Sequence, residues 1–385
     1  MLTFKRAIVI ALAIISLLAL LRTFHSSEQR ITNANDMPKP KGVHTRLHES
    51  EPEIVEEIPE VPQTTSAAMD IPPPPRKQRP QISLEDMRSR PLKQQLELQY
   101  PYEVTAKFPA YIWQTWKHTP ADGRFEEIFR EPEASWTLLH PTFVHEVITD
   151  SIAEHLIKHL YASIPEVVEA YNVLPLPVLK ADFFRYLILF ARGGIYSDID
   201  TAALKSATEW VPAEVDRASY GMVIGVEADP DREDWAEWYS RRIQFCQWTI
   251  QAKPGHPILR DVIANITEET LRRKTDGRLT KDTKNIIEFT GPALWTDTVF
   301  SFFNDPEYFD MSTSKGNISW QHFTGMTSPK KVGDVVVLPI TSFSPGVRQM
   351  NAGEEDDPMA FVKHNFEGTY YILTPSVVPL YYTCR

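Results

Sequence analysis

The stretch from Leu179 to Asp200 constrains this chain more than any other. Leu179, Phe183, Leu187 and Phe190 fall on one helical stripe, and Gly193-Gly194 then ends the helix. Ile195-Tyr196-Ser197-Asp198-Ile199-Asp200 follows at once and reads as a strand. An apolar helix feeding through a glycine pair into a strand is the building unit of an α/β domain, with helices packed on a sheet. Alternation along the strand sends Ile195 and Ile199 to one face, and Tyr196, Asp198 and Asp200 to the other. The strand is thus predicted to present two carboxylates side by side at its C-terminal end, where open α/β sheets place their ligands. Asp182 and Arg185, three positions apart on the helix, sit together off the apolar stripe.

Two adjacent carboxylates beside an apolar helix repel each other, and one takes up a proton unless a cation compensates. A hard divalent ion, Mn²⁺ or Mg²⁺, does so with oxygen ligands and leaves positions open for a diphosphate. Such an ion neutralises a nucleotide diphosphate as it leaves a breaking glycosyl bond. A bare Asp-x-Asp is also what an exposed turn carries. The position of Asp198 and Asp200 behind a strand, Gly193-Gly194 and the Asp182/Arg185 helix favours the metal site.

The rest of the chain agrees with an α/β body. Strands are expected at Tyr111–Thr115, Met222–Val226 and Val335–Leu338, and helices at Pro165–Tyr171 and Val178–Arg192. Hydrophobic residues make up 42% of 385, enough for a sizeable core. The formal net charge of −11 argues against sequence-independent nucleic-acid binding, which needs a basic footprint. Two cysteines, Cys246 and Cys384, exclude a cysteine zinc cluster and a disulfide-dense scaffold, and leave one disulfide open.

Upstream of the body the composition changes twice. Lys5-Arg6 precedes an uncharged apolar run from Ala7 to Leu21, which Leu2, Phe4 and Phe24 extend. The run is short for a membrane span of about 20 residues, and a cleaved signal peptide is the rival reading. Leu21-Arg22-Thr23-Phe24-His25 lacks the small residues of a cleavage site, so an uncleaved signal anchor over 1–24 is expected. The basic pair before the run places the N-terminus in the cytosol and the body in the lumen. Residues 25–104 alternate prolines with Glu49, Glu51, Glu53, Glu56, Glu57 and Glu60, and include the unbroken Pro72–Pro75. This is the composition of an extended, solvated stem. Leu84, Met87, Leu92 and Leu96 suggest a short helix within Ser83–Tyr100, capping a body that runs over 105–385. The sequons at Asn265 and Asn317 agree with a lumenal body as candidate glycosylation sites.

The run from Asp182-Phe183-Phe184-Arg185-Tyr186 through Gly193-Gly194-Ile195-Tyr196-Ser197-Asp198-Ile199-Asp200-Thr201 resembles the Asp-x-Asp region of glycosyltransferase family 32. Within that family the chain resembles the branch of fungal Golgi initiation-specific alpha-1,6-mannosyltransferases. The likeness extends from about Phe108 to Tyr370. It takes in Tyr111-Ile112-Trp113-Gln114-Thr115, Gly225-Val226-Glu227-Ala228-Asp229-Pro230, Gln244-Phe245-Cys246-Gln247-Trp248-Thr249, Thr290-Gly291-Pro292 and the segment ending at His364. The resemblance implies a GT-A fold with one Rossmann-like sheet, and retaining transfer from GDP-mannose to N-linked oligomannose in the Golgi. It implies that Asp198 and Asp200 hold metal and diphosphate, with His364 a further metal contact. It sets Asp182, Arg185 and Tyr196 in the nucleotide-sugar pocket and Trp113-Gln114 along the base. Where the family carries a terminal Gly-Ser-Trp, this chain reads Gly368-Thr369-Tyr370, a departure that leaves an aromatic residue in place.

Other residues point less sharply. Asp297, beyond the Thr290-Gly291-Pro292 turn, is a candidate acceptor contact, and Glu227 and Asp229 follow a buried strand where an acceptor could lie. Trp235, Trp238, Trp248 and Trp295 could stack on sugars or belong to the core. Rival readings are a family 32 paralogue acting on another mannan acceptor or an inositol phosphoceramide, and a non-catalytic partner in a mannosyltransferase complex.

Overall fold

A computed structural model describes residues 83–281, 286–309, 316–348 and 352–367. The expected anchor, the stem up to residue 82, Cys384 and Gly368-Thr369-Tyr370 lie outside the described residues. No described helix is long and apolar enough to cross a membrane.

The central sheet is built from strands β1 (Tyr111–Thr115), β2 (Val144–Ile148), β3 (Gly194–Ser197), β5 (Met222–Ala228), β7 (Thr249–Ala252), β8 (Lys330–Val332) and β9 (Val335–Leu338). Its order is β2-β1-β3-β7-β5-β9-β8. β6 (Gln244–Phe245) pairs with the end of β5. β1, β2 and β3 are parallel, β7 runs antiparallel between β3 and β5, and β9 is parallel to β5. A separate antiparallel pair joins β4 (Thr201–Ala203) to β10 (Val362–His364).

The helices are α1 (Leu84–Arg88), α2 (Leu92–Gln99), α3 (Arg130–Leu139), α4 (Asp150–Leu160), α5 (Pro165–Val173) and α6 (Pro177–Arg192). They continue with α7 (Pro257–Thr275), α8 (Ile286–Phe289), α9 (Pro292–Phe303) and α10 (Ile340–Phe343). The helix read across Ser83–Tyr100 is therefore two, divided at Pro91, which has no amide hydrogen to continue the first. α2 packs on α7 through the fully buried Leu96, and the Tyr100 hydroxyl donates to the Leu160 carbonyl at 2.6 Å. The buried Lys253 ammonium donates to the Val104 and Arg217 carbonyls at 2.5 and 2.8 Å. Residues 83–104 are in this way fastened to the body.

The helix–glycine–strand unit forms as its sequence requires. Proline at its start supplies a preset φ where no amide partner is needed, and α6 is buried continuously from Asp182 to Ala191. Phe183, Leu187 and Tyr196 belong to the cluster on one face of the sheet, while Ile195, Val223 and Trp248 belong to the cluster on the other. Ile195 and Tyr196 thus part as the alternation predicts. Gly194 has φ +98°, and a Cβ there would lie 2.6 Å from the Tyr111 carbonyl oxygen of the neighbouring strand. Gly194→Ala should destabilise the body by about 1–3 kcal/mol through strain and overpacking. A urea-unfolding midpoint equal to that of the parent would contradict this packing.

Candidate active site

β3 ends at Ser197, three residues before the predicted end. Asp198 and Asp200 therefore do not alternate along a strand; a turn brings them together. Thr201 N–H and its hydroxyl both donate to the Asp198 carbonyl, at 3.1 and 2.6 Å. Asp198 N–H donates to the Trp248 carbonyl at 2.9 Å, which fixes the other end of the turn to β7's approach. The backbone is spent on these bonds, so the carboxylates are left to project from the sheet edge.

The third member arrives from far along the chain. β10 pairs with β4 so that His364 lies opposite Thr201, next to Asp200. His364 Nε2 stands 3.6 Å from Asp200 Oδ1. One ligand atom from each of Asp198, Asp200 and His364 falls within 4.8 Å of the others. The Trp248 ring meets the His364 ring edge-on at 4.7 Å, and the Phe366 ring lies 4.2 Å from it on centroids.

The electrostatics say what this cluster lacks. Burial pushes the Asp200 carboxyl up to about 6, and burial also raises Asp198, partly offset by Arg185. Asp200 Oδ2 is buried with no hydrogen-bond partner. Burial pushes His364 down to about 4, so the ring is neutral at physiological pH. Two carboxylates, an orphaned oxygen and a neutral imidazole form a donor set that fits a divalent cation. Phe366 N–H donates to His364 Nδ1 at 2.9 Å. Ligation through Nε2 needs the ring proton on Nδ1, so it would exchange that contact for the metal bond. The two aspartates are consequently the firmer ligands.

Arg185 ties the helix to this turn. Its Nη2 lies 3.1 Å from Asp198 Oδ1 and 3.2 Å from Asp182 Oδ1, and its guanidinium sits 5.1 Å above the Tyr196 ring. Asp182 is 1% exposed, and both its oxygens are engaged within the protein. Gln247 Nε2 donates to Oδ1 at 3.3 Å and Thr290 Oγ1 to Oδ2 at 2.8 Å. Burial, opposed first by Arg185, leaves the Asp182 carboxyl at about 6. Arg185 Nε is buried without a partner.

The remaining predicted residues divide into those built into the site's frame and those placed elsewhere. Trp113 stacks on Tyr111 and donates its indole N–H to the Gly193 carbonyl at 2.9 Å. Gln114 is fully buried, and its Nε2 donates to the Asp198 carbonyl at 3.0 Å. Its Oε1 pairs with His145 Nε2 at 2.9 Å, so β1 and β2 together brace the Asp198 turn. The sequence offered no signal for His145. Tyr196 is also fully buried, with its hydroxyl 3.0 Å from Thr115 Oγ1. Asp297, on α9, is held instead in an ion-pair network, where Arg241 Nη2 reaches its Oδ2 at 2.5 Å and Glu288 at 2.9 Å. Trp295 is core, stacked on Tyr186 at 5.5 Å. Asn265, on α7, and Asn317, in a loop, are both exposed. Cys246 is buried, with no disulfide partner among the described residues.

Known proteins share this arrangement of sequence. Residues 129–216 match the family described as "Glycosyltransferase sugar-binding region containing DXD motif", a span that holds Asp182, Arg185, Asp198 and Asp200. A Candida albicans protein named initiation-specific alpha-1,6-mannosyltransferase is 48% identical over 293 residues, covering 72% of this chain and 76% of the relative. A Schizosaccharomyces pombe protein of the same name is 43% identical over 280 residues, covering 72% and 67%. A Saccharomyces cerevisiae protein named putative glycosyltransferase HOC1 is 39% identical over 304 residues, covering 76% and 74%.

Proposed function

We propose a function from one premise: the chain belongs to the glycosyltransferases whose sugar-binding region contains a DXD motif, and it is akin to the initiation-specific alpha-1,6-mannosyltransferases. It transfers mannose from GDP-mannose to an N-linked oligomannose glycan through an alpha-1,6 bond. The observation that carries the reading is the meeting of Asp198, Asp200 and His364 at one edge of a mixed α/β sheet. The sheet is read as a GT-A nucleotide-sugar domain, and transfer as retaining.

The side chains divide the work. Asp198 and Asp200 would hold Mn²⁺, or Mg²⁺, with His364 as the third, weaker ligand. A cation there supplies positive charge to the nucleotide diphosphate as the glycosyl bond breaks. Arg185 fixes the Asp198 carboxylate from behind through a charge-assisted contact. Asp182 orients Arg185, with Gln247 and Thr290 holding Asp182 in turn. Gln114, braced by His145, keeps the Asp198 turn from shifting, as a preorganised charge site requires. No nucleophile is assigned.

The same reading sets the protein in the Golgi membrane as a single-pass type II enzyme. Residues 1–24 are the anchor and 25–104 the stem, whose last stretch, from 83, packs on the catalytic domain of 105–385, with glycans on Asn265 and Asn317. Incubating the purified full-length protein with GDP-mannose, Mn²⁺ and a panel of oligomannose acceptors tests the activity. Mapping of the product should find a new alpha-1,6-linked mannose. Failure to mannosylate any oligomannose, or a different linkage, would refute the assignment.

A further inference from the structure

A further carboxylate reaches the edge of the sheet at which Asp198 and Asp200 lie. β3 and β5 each pair antiparallel with β7, so they run the same way and end at the same edge. Alternation along β5 puts Val223, Gly225 and Glu227 on one face, and Val223 packs in the cluster that contains Trp248 and Phe343. Glu227, near the end of β5, is half-buried. Gln244 Nε2 donates to its Oε2 at 3.1 Å. Burial pushes its carboxyl up to about 7, and the charges of Arg185 and Asp198 both reach it, in opposite senses.

Trp248 links this carboxylate to the metal-binding cluster. Its carbonyl anchors the Asp198 turn and its ring lies against His364. The side chain is 4% exposed, and the indole Nε1 is buried with no partner at hydrogen-bonding geometry, although it lies close enough to Glu227 to favour the carboxylate's charge. An orphaned donor next to a half-buried acceptor, one strand from the reaction site, is completed by a ligand that both donates and accepts. Hydroxyl groups do both. An anionic group would be repelled by Glu227, so the complement is a neutral, polyhydroxylated ring.

We propose that Glu227 and the Trp248 indole N–H form a subsite that binds the hydroxyls of a mannose ring at the point of transfer. One hydroxyl donates to Glu227 and another accepts from Trp248 Nε1. The inference rests on the mannosyl-transfer reading, and the ring belongs either to the acceptor or to the mannose being transferred. Glu227→Gln keeps the size of the side chain and removes its charge; Trp248→Phe keeps most of the ring and removes the N–H.

Two measurements test the subsite: steady-state kinetics with GDP-mannose and an oligomannose acceptor, and saturation-transfer NMR of methyl α-mannoside on the GDP- and Mn²⁺-loaded protein. A rise of about tenfold or more in the acceptor KM, with the GDP-mannose KM within about twofold, assigns the ring to the acceptor. The reverse pattern assigns it to the donor, and either supports the subsite. Unchanged constants and an unchanged NMR signal in both variants overturn it while leaving mannosyl transfer standing. If the parent transfers no mannose but Glu227→Gln abolishes the NMR signal, the subsite stands and the mannosyl-transfer reading falls.

Discussion

Asp200→Asn should fold as the parent does and lose about 10²–10³-fold or more of its metal-dependent mannosyl transfer. The substitution keeps the shape of the side chain and removes one negative charge from a place where burial already opposes it. Stability should move the other way from activity. The Asp200 carboxyl has a folded value of about 6, above its ordinary one, so the fold binds this proton more tightly than the unfolded chain does. Its contribution is full below about pH 4 and is lost as pH rises towards 6, which leaves a cost at pH 7 in the metal-free protein. Metal-free Asp200→Asn should consequently melt no lower than the parent at pH 7. Chelation of the parent should remove transfer, and added Mn²⁺ should restore it. Transfer by Asp200→Asn at the parental rate would show that the carboxylate is structural.

Arg185→Ala should destabilise the body strongly. Arg185 is 4% exposed, and its loss leaves Asp182 and Asp198 facing each other without a cation between them. Breaking a buried charge pair by removing one partner typically costs about 3–5 kcal/mol. Transfer should fall as well, because Asp198 loses the contact that fixes its carboxylate. Arg185→Lys should recover only part of the stability, since one ammonium cannot reproduce the planar fork. Asp182→Asn placed on Arg185→Ala should recover some stability by removing one of the stranded charges, a coupling that a double-mutant cycle measures. Urea unfolding of Arg185→Ala within about 1 kcal/mol of the parent would contradict this picture of the charge network.

The parts of the fold legible in the sequence were those governed by local periodicity. The α6 stripe, the Gly193-Gly194 stop and the separation of Ile195 from Tyr196 follow from residue spacing and from the steric need for glycine beside Tyr111. The pattern misled at Ser197, because Ser197-Asp198-Ile199-Asp200 alternates as a strand does while the Thr201 hydroxyl and amide close it into a turn. Nothing local records the antiparallel β7 inserted between β3 and β5, or the β4–β10 pairing that carries His364 to Asp200. His364 entered the sequence reading through family resemblance alone. Gln114 could be singled out by type and position, but its role as a brace depends on His145 from the adjacent strand. Asp297 shows the same limit from the other side: a suitable residue type after a suggestive turn, taken up by Arg241.

The most direct test of the account is electron paramagnetic resonance of Mn²⁺ titrated into the purified full-length protein with GDP present. The parent should convert the free-ion spectrum to a bound one, His364→Ala should weaken that binding, and Asp200→Asn should abolish it. A parent that leaves all the Mn²⁺ free, or an Asp200→Asn variant that binds it as tightly as the parent, would contradict the assignment of Asp198, Asp200 and His364 as the metal site.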